Sequence, residues 1–134
     1  MNYLNKVKEY LLELGYQITK EIPEDQILII DYDDNGVNNM ILDCEDNLLI
    51  IEQKLVDVNV DNPELWKQLL QANRNLVFGA YVLDETAKHL IFRDTLELEN
   101  LDKNELEASL NSLALGLVEN IDLLLTIAGE ENIH

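Results

Sequence analysis

Residues 26–56, QILIIDYDDNGVNNMILDCEDNLLIIEQKLV, decide the fold class. The first part, residues 26–32, is short, apolar and rich in β-branched side chains, which is typical of a β-strand. Asp34, Asn35 and Gly36 follow and indicate a tight turn, because Asn and Gly tolerate the positive φ angles of a hairpin. This part therefore predicts a strand that folds back on the next one.

The remainder of the same stretch predicts two more strands. Apolar and polar side chains alternate in residues 37–45, which places Met40, Leu42 and Cys44 on one face of a strand. A short polar turn then leads into the apolar run 48–56. Consecutive strands joined by short turns form an antiparallel meander.

Two amphipathic helices flank this meander. Asn2 can cap the start of the first, and Gly15 suits the left-handed conformation that stops it. A loop through Pro23 is expected to follow. Asn62 and Pro63 open the second helix, since Asn caps well and Pro is favoured at the first helical position. The apolar side of the second helix comprises Leu65, Trp66, Leu69 and Leu70.

The second half of the chain predicts two further strands, residues 76–83 and 89–96, and then a long helix. Asp102 and Glu105 form a capping box at the start of this helix, and Gly129 ends it. The predicted order is α-β-β-β-α-β-β-α. This order indicates an α+β fold, with an antiparallel five-stranded sheet and helices packed on it, in a single domain over residues 1–134.

The charge is strongly acidic, with 9 basic and 27 acidic residues and a formal net charge of −18. Nucleic acids and anionic membrane surfaces are therefore not expected as partners, because both are bound through lysine and arginine. Residues 21–62 hold twelve acidic residues and one basic residue, Lys54. Two interpretations stay open: a solvated, self-repelling surface, or an acidic face that recognises basic segments or shields a client.

Several features predict a soluble protein of the reducing cytoplasm. No apolar run approaches the ~20 residues of a membrane helix, and residues 1–6 lack the pattern of a secretory signal. Cys44 is the single cysteine, so an internal disulfide cannot form.

Asp31 to Gly36 begin like an EF-hand calcium loop, D-x-D-x-N-G. The twelfth position of that loop needs a bidentate glutamate, and here it is Leu42. The flanking residues also predict strands where the motif needs helices. We therefore interpret the segment as a turn and predict no metal site.

Catalytic groups lack the partners that would activate them. His89 and His134 are the two histidines, and no zinc-binding spacing of His or Cys occurs. Ser109 and Ser112 fall inside the last helix, and Cys44 lies on the face of a strand predicted to be buried. No glycine-rich phosphate loop precedes a helix. The sequence therefore predicts neither an enzyme nor a cofactor-binding protein.

The second half of the chain resembles the class I type III secretion chaperones, the Tir-chaperone-like (CesT-like) family. The residues that carry the resemblance run from Glu64 onward: ELWKQLLQAN (64–73), FGA (78–80), LDE (83–85), LIF (90–92), TLEL (95–98) and LD (101–102). The first half resembles the family in element order. The chain departs from the family at residues 86–88, where a glycine is usual, and at Glu97, where a proline is usual. YbjN-type bacterial proteins have the same architecture.

The resemblance implies a homodimer that binds an unfolded segment of a client protein. It places the dimer or partner contacts on helix two and the following strand, at Leu65, Trp66, Leu69, Phe78 and Tyr81. Each of these residues could equally belong to the core.

We therefore predict a non-enzymatic, cytoplasmic polypeptide-binding protein. In physical terms, the continuous apolar runs 27–30 and 48–51 put apolar side chains on both faces of the sheet. Helices can cover one face, and part of the other needs a partner. The alternatives are a YbjN-type regulatory or stress protein with a folded partner, an acidic mimic that occupies a nucleic-acid-binding protein, and a small enzyme.

Overall fold

The computed structural model describes residues 2–130, which form three α-helices and six strands. His134 lies outside the described residues. The elements, in chain order, are α1 Tyr3–Glu13, β1 Gln17–Ile22, β2 Ile27–Tyr32, β3 Val37–Glu45, β4 Leu48–Asp57, α2 Pro63–Asn75, β5 Ala80–Leu83, β6 His89–Glu97 and α3 Lys103–Ala128.

The strands form one antiparallel sheet in the order β1-β2-β3-β4-β6-β5. The predicted α+β class and antiparallel pairing are confirmed, but the sheet has six strands and not five. The additional strand is β1, which lies where we expected a loop. Its sequence, QITKEI, is largely polar, and a register shift between Ile18 and Lys20 breaks its alternation. Polar, bulged strands are common at sheet edges, where they discourage pairing with other chains.

Residues 76–79, predicted as strand, precede β5 without joining the sheet. Gly79 has φ +76°, a left-handed conformation that separates these residues from the strand, which begins at Ala80. The backbone of Phe78 bonds instead to α3: its N–H donates to Ser112 Oγ at 3.1 Å, and Ser112 Oγ donates to its carbonyl at 2.7 Å. The side chain of Ser112, 34 positions away, thus makes the backbone hydrogen bonds that a neighbouring strand would make with Phe78.

The helix ends agree with the sequence predictions. Asn2 and Asn62 accept hydrogen bonds from backbone N–H groups in the first turns of α1 and α2. Both bonds of the capping box between Asp102 and Glu105 are present, and Gly129 closes α3 with φ +82°. These bonds satisfy N–H groups that the helix itself leaves unpaired.

All three helices pack on the same side of the sheet, which we call the inner face. Its residues, such as Leu28, Leu42, Ile51 and Phe92, are fully buried. They cluster with apolar residues of α1 and of the first half of α3, while α2 and the second half of α3 form a second cluster over Tyr81 and Leu90. The core is therefore a single layer between sheet and helices.

Helix α3 extends across this layer for about 39 Å at 1.5 Å per residue. By length and composition it could cross a membrane, and within residues 2–130 it is the one helix of which this is true. In the structure Leu106, Leu110 and Leu113 are fully buried in the core.

Candidate functional site

The side of the sheet opposite the helices, which we call the open face, carries apolar side chains that the chain itself leaves partly uncovered. On β3 and β4, Ile41 and Leu48 are each 42% exposed. Ile27, Ile29 and Ile50 are half-buried. In each strand these residues alternate with fully buried inner-face residues, so their side chains point away from the helices.

The register of the strands brings these side chains together. One row across β2, β3 and β4 consists of Ile27, Asp43 and Ile50. Along β3, Ile41 precedes Asp43 by two residues and so lies on the same face. Since neighbouring strands are about 4.8 Å apart, the isoleucines form one apolar patch around Asp43.

Charged residues surround this patch. Arg93 pairs with Glu52 across β6 and β4, and Lys54 pairs with Asp57 at 2.7 Å. Asp43 has neither an ion pair nor a side-chain hydrogen bond with any residue in the described part of the chain, and its carboxylate oxygens keep contact with solvent. Partial burial, followed by the nearby carboxylates, raises the pKa of Asp43 above its ordinary value. The open face is therefore apolar at its centre and carries an unpaired acid there.

Three of the five predicted partner-binding residues lie in the core of this chain. Leu65, Leu69 and Tyr81 are less than a tenth exposed and pack with residues of α3. Tyr81 also accepts a bond at its hydroxyl from Asn120 Nδ2, at 3.0 Å. Whether this region contacts a second chain stays a prediction.

The other two, Trp66 and Phe78, reach the surface. Trp66 is half-buried, and its indole N–H donates to Asp61 Oδ1 at 2.7 Å. Phe78 is 44% exposed. Leu70, one helical turn after Trp66, is 72% exposed, and Val77 is exposed beside Phe78. The sequence pattern places Leu70 on the apolar side of the helix, and it contains no signal that distinguishes Val77.

Asn73 closes part of the neighbouring sheet edge. Its side-chain carbonyl accepts from Tyr81 N at 2.6 Å, and its amide donates to the carbonyl of Tyr81 at 3.1 Å. The side chain thus makes both bonds that another strand would make at this position of β5. A partner strand cannot pair with β5 at Tyr81 unless Asn73 moves away.

The groups considered as nucleophiles or metal ligands have structural hydrogen bonds or are buried. Ser109 Oγ donates to Asp94 Oδ2 at 2.6 Å, and Asp31 Oδ1 accepts from the backbone N–H of Asn39 at 2.7 Å. Burial raises the pKa of the Cys44 thiol to about 11, which disfavours the reactive thiolate. Residues 2–130 contain no group of three or more His, Cys, Asp or Glu side chains placed to hold a metal.

The turn between β5 and β6 is held by the carboxylate of Asp84. Ala87 adopts φ +59° there. Asp84 Oδ1 accepts from the backbone N–H of Lys88 at 3.2 Å and of His89 at 3.3 Å, and Asp84 Oδ2 lies 2.6 Å from His89 Nδ1. The hydrogen bond with His89, above all, lowers the pKa of Asp84 to about 2.

We expect Asp84→Asn to destabilise the protein at neutral pH and much less in acid. A carboxyl group with a lowered pKa stabilises the fold fully above its unfolded value of 3.8, and this contribution is lost as the pH falls towards 2. Urea unfolding of both proteins at pH 7 and near pH 3 measures the difference. Glu85→Gln, in the same turn, is the control for loss of charge. An Asp84→Asn effect as large at pH 3 as at pH 7 would contradict the prediction.

Comparison with known proteins gives both a family and a fold. The sequence model of the CesT_Tir_1 family matches residues 1–130. No curated protein sequence matches the chain. Among solved structures, YbjN from E. coli, a candidate transcription regulator, superposes with a TM-score of 0.67 at 17% identity, over 88% of this chain and 90% of YbjN.

Two chaperone structures are also similar. A chain of the HopA1-SchA chaperone-effector complex has a TM-score of 0.59 at 16% identity, over 96% of this chain and 95% of that one. A chain in the structure of the Yersinia pestis type III secretion chaperone SycH, in complex with a stable fragment of YscM2, has a TM-score of 0.53 at 16% identity, over 93% and 98%. At such identities the likeness shows the fold.

Proposed function

Because the chain belongs to the CesT_Tir_1 family, we propose that it is a non-enzymatic polypeptide-binding protein: a small, acidic, dimeric chaperone of the cytoplasm that holds an unfolded client segment. The whole chain serves as one chaperone-like domain. No cofactor is required, since the work is binding.

The observation that carries this proposal is the open face. A sheet needs its apolar side chains covered, and here the helices cover one side only. Ile41 and Leu48 keep 42% of their surface exposed on the other side, beside half-buried isoleucines. Contiguous exposed apolar surface of this kind marks interaction sites. The −18 charge keeps such a surface soluble between clients.

Two similar structures support the kind of partner. One is a chaperone-effector complex and the other is a secretion chaperone in complex with a protein fragment. In both, the partner is a polypeptide.

The dimer forms a separate part of the proposal. Trp66 and Phe78 supply accessible apolar surface on α2 and in the segment before β5, and Leu70 and Val77 extend it. Leu65, Leu69 and Tyr81 lie beneath this surface and fix its shape. Tryptophan is enriched at the centres of interfaces. The partner-binding set predicted from the sequence thus acts partly through contact and partly through support.

The alternative function is that of a regulator that binds a folded partner. The similar fold of YbjN supports this alternative. Acidic mimicry of nucleic acid is less well supported, because isoleucines separate the carboxylates of the open face. A mimic needs its carboxylates in a continuous row.

The test is binding to a permanently unfolded protein, such as a reduced and carboxymethylated substrate. We expect the double variant Ile29→Ser and Ile41→Ser to weaken that binding about tenfold or more, because each isoleucine contributes roughly 1 kcal/mol when its exposed part is buried. Val118→Ser, at an exposed site on α3, is the control. If the double variant and Val118→Ser lose the same affinity for the unfolded protein, the binding surface is not the open face.

A further inference from the structure

Asp43 is the feature of the open face that the proposed function does not explain. Ile27 and Ile50 lie directly beside it on the neighbouring strands, and Ile41 lies on the same face of its own strand. A carboxylate with isoleucine on three sides loses part of its hydration without gaining a partner. If the face served only to bury apolar side chains, an apolar residue would suit this position better.

The cations of the open face do not neutralise Asp43. Arg93 pairs with Glu52, and Lys54 pairs with Asp57. Lys20 is on β1 in register with Ile29, so the whole of β2 separates it from β3. The carboxylates of Glu45, Asp25 and Glu52 instead act on Asp43, and each of them raises its pKa. The electrostatic potential at the centre of the patch is therefore negative.

This charge distribution discriminates between possible occupants. A second copy of the chain, stacked face to face, would bring Asp43, Glu45 and Glu52 against like charges in a partly desolvated interface, which is unfavourable. A purely apolar segment would bury Asp43 without a partner. A segment with one lysine or arginine among its apolar residues would pair with Asp43 and cover the isoleucines together.

We propose that the open face selects polypeptide segments in which apolar residues flank a lysine or arginine, and that this basic side chain inserts among Ile27, Ile41 and Ile50 to pair with Asp43. The inference rests on the proposed function, because it names the partner chemistry of the same surface. Asp43 then sets specificity, and the isoleucines supply most of the affinity.

A peptide array with matched sequences tests the proposal. The probes are 15-residue peptides with apolar flanks of varied spacing, each made with Lys, Gln or Glu at the centre. We expect the wild-type protein to bind the best Lys peptides about tenfold more tightly than their Gln versions, which corresponds to about 1.4 kcal/mol. Asp43→Asn should abolish this preference, and Asp43→Lys should reverse it in favour of Glu.

Two control variants separate the possible failures. Asp34→Asn removes one exposed charge from the turn before β3 and should keep the Lys preference. Ile41→Asn should weaken all three peptide versions alike. If Lys and Gln peptides bind the wild type equally while Ile41→Asn weakens both, this inference is wrong and the proposed function stands. If Ile41→Asn has no effect, or no peptide binds, both fail.

Discussion

Replacing Gly79 with alanine is expected to lower the free energy of unfolding by about 2–5 kcal/mol. Gly79 has φ +76°, a conformation that costs other residues about 1–2 kcal/mol. A β-carbon there would also lie 2.5 Å from Cζ of the buried Phe92 and 3.0 Å from the carbonyl oxygen of Arg93. Overpacking of this kind costs roughly 1–3 kcal/mol. Urea unfolding measures the sum.

Gly15 is the matched control, because it shares the backbone conformation without the crowding. Its φ is +90°, but the nearest atom to an added β-carbon, on Tyr32, is 3.9 Å away. Gly15→Ala should therefore cost only the backbone contribution, about 1–2 kcal/mol. Equal losses for the two variants would mean that Phe92 moves aside freely, and the expected packing penalty at Gly79 would be wrong.

The second large effect concerns association. Light scattering on the wild type should give about twice the 15.4 kDa mass of the chain, and Trp66→Asp should give a single chain mass. Burying an unpaired carboxylate in an interface costs several kcal/mol, enough to separate the subunits. Trp66 is only half-buried in its own chain, so the variant should remain folded.

Leu12→Asp provides the comparison for this experiment. Leu12 is an exposed apolar residue of α1, so the change in chemistry is similar while the predicted interface is untouched. This variant should still give the dimer mass. A monomeric wild type would contradict the dimer outright, and an unfolded Trp66→Asp variant would place the tryptophan in the core.

Features fixed by neighbouring residues were predictable from the sequence. The caps at Asn2, Asn62 and Asp102 each depend on a bond to a residue two or three positions ahead, so a short window contains both partners. The stop at Gly129 depends on one residue's freedom to adopt positive φ.

Features fixed at long range were missed. Strand β1 is polar and bulged, and it becomes a strand only because β2 lies beside it. Residues 76–79 have strand-forming side chains at Leu76, Val77 and Phe78, yet Ser112, far along the chain, bonds the backbone of Phe78. Propensity cannot anticipate a hydrogen bond whose partner is brought close by the tertiary fold.

The candidate site shows the same division between local features, which were predictable, and long-range features, which were not. Alternation along β3 identifies two faces, and the expectation that one face needs a partner came from the continuous apolar runs. Alternation does not say that Asp43 would meet Ile27 and Ile50, because that depends on the register of three strands. The apolar pattern of α2 assigns Leu65, Leu69 and Leu70 to one side of the helix. It does not indicate that Leu65 and Leu69 are buried while Leu70 is exposed.

The position of α3 in the chain has a consequence for synthesis on the ribosome. Every strand is translated before α3 is complete, since β6 ends at Glu97 and α3 ends at Ala128. At ~5–20 residues per second, the roughly 30 residues between those points take about 2–6 s to make. Throughout that interval α1 and α2 have been made, but the part of the inner face that α3 covers is exposed, as is the open face. A protein proposed to hold unfolded segments thus passes through a stage in which its own apolar surface is exposed in the same way.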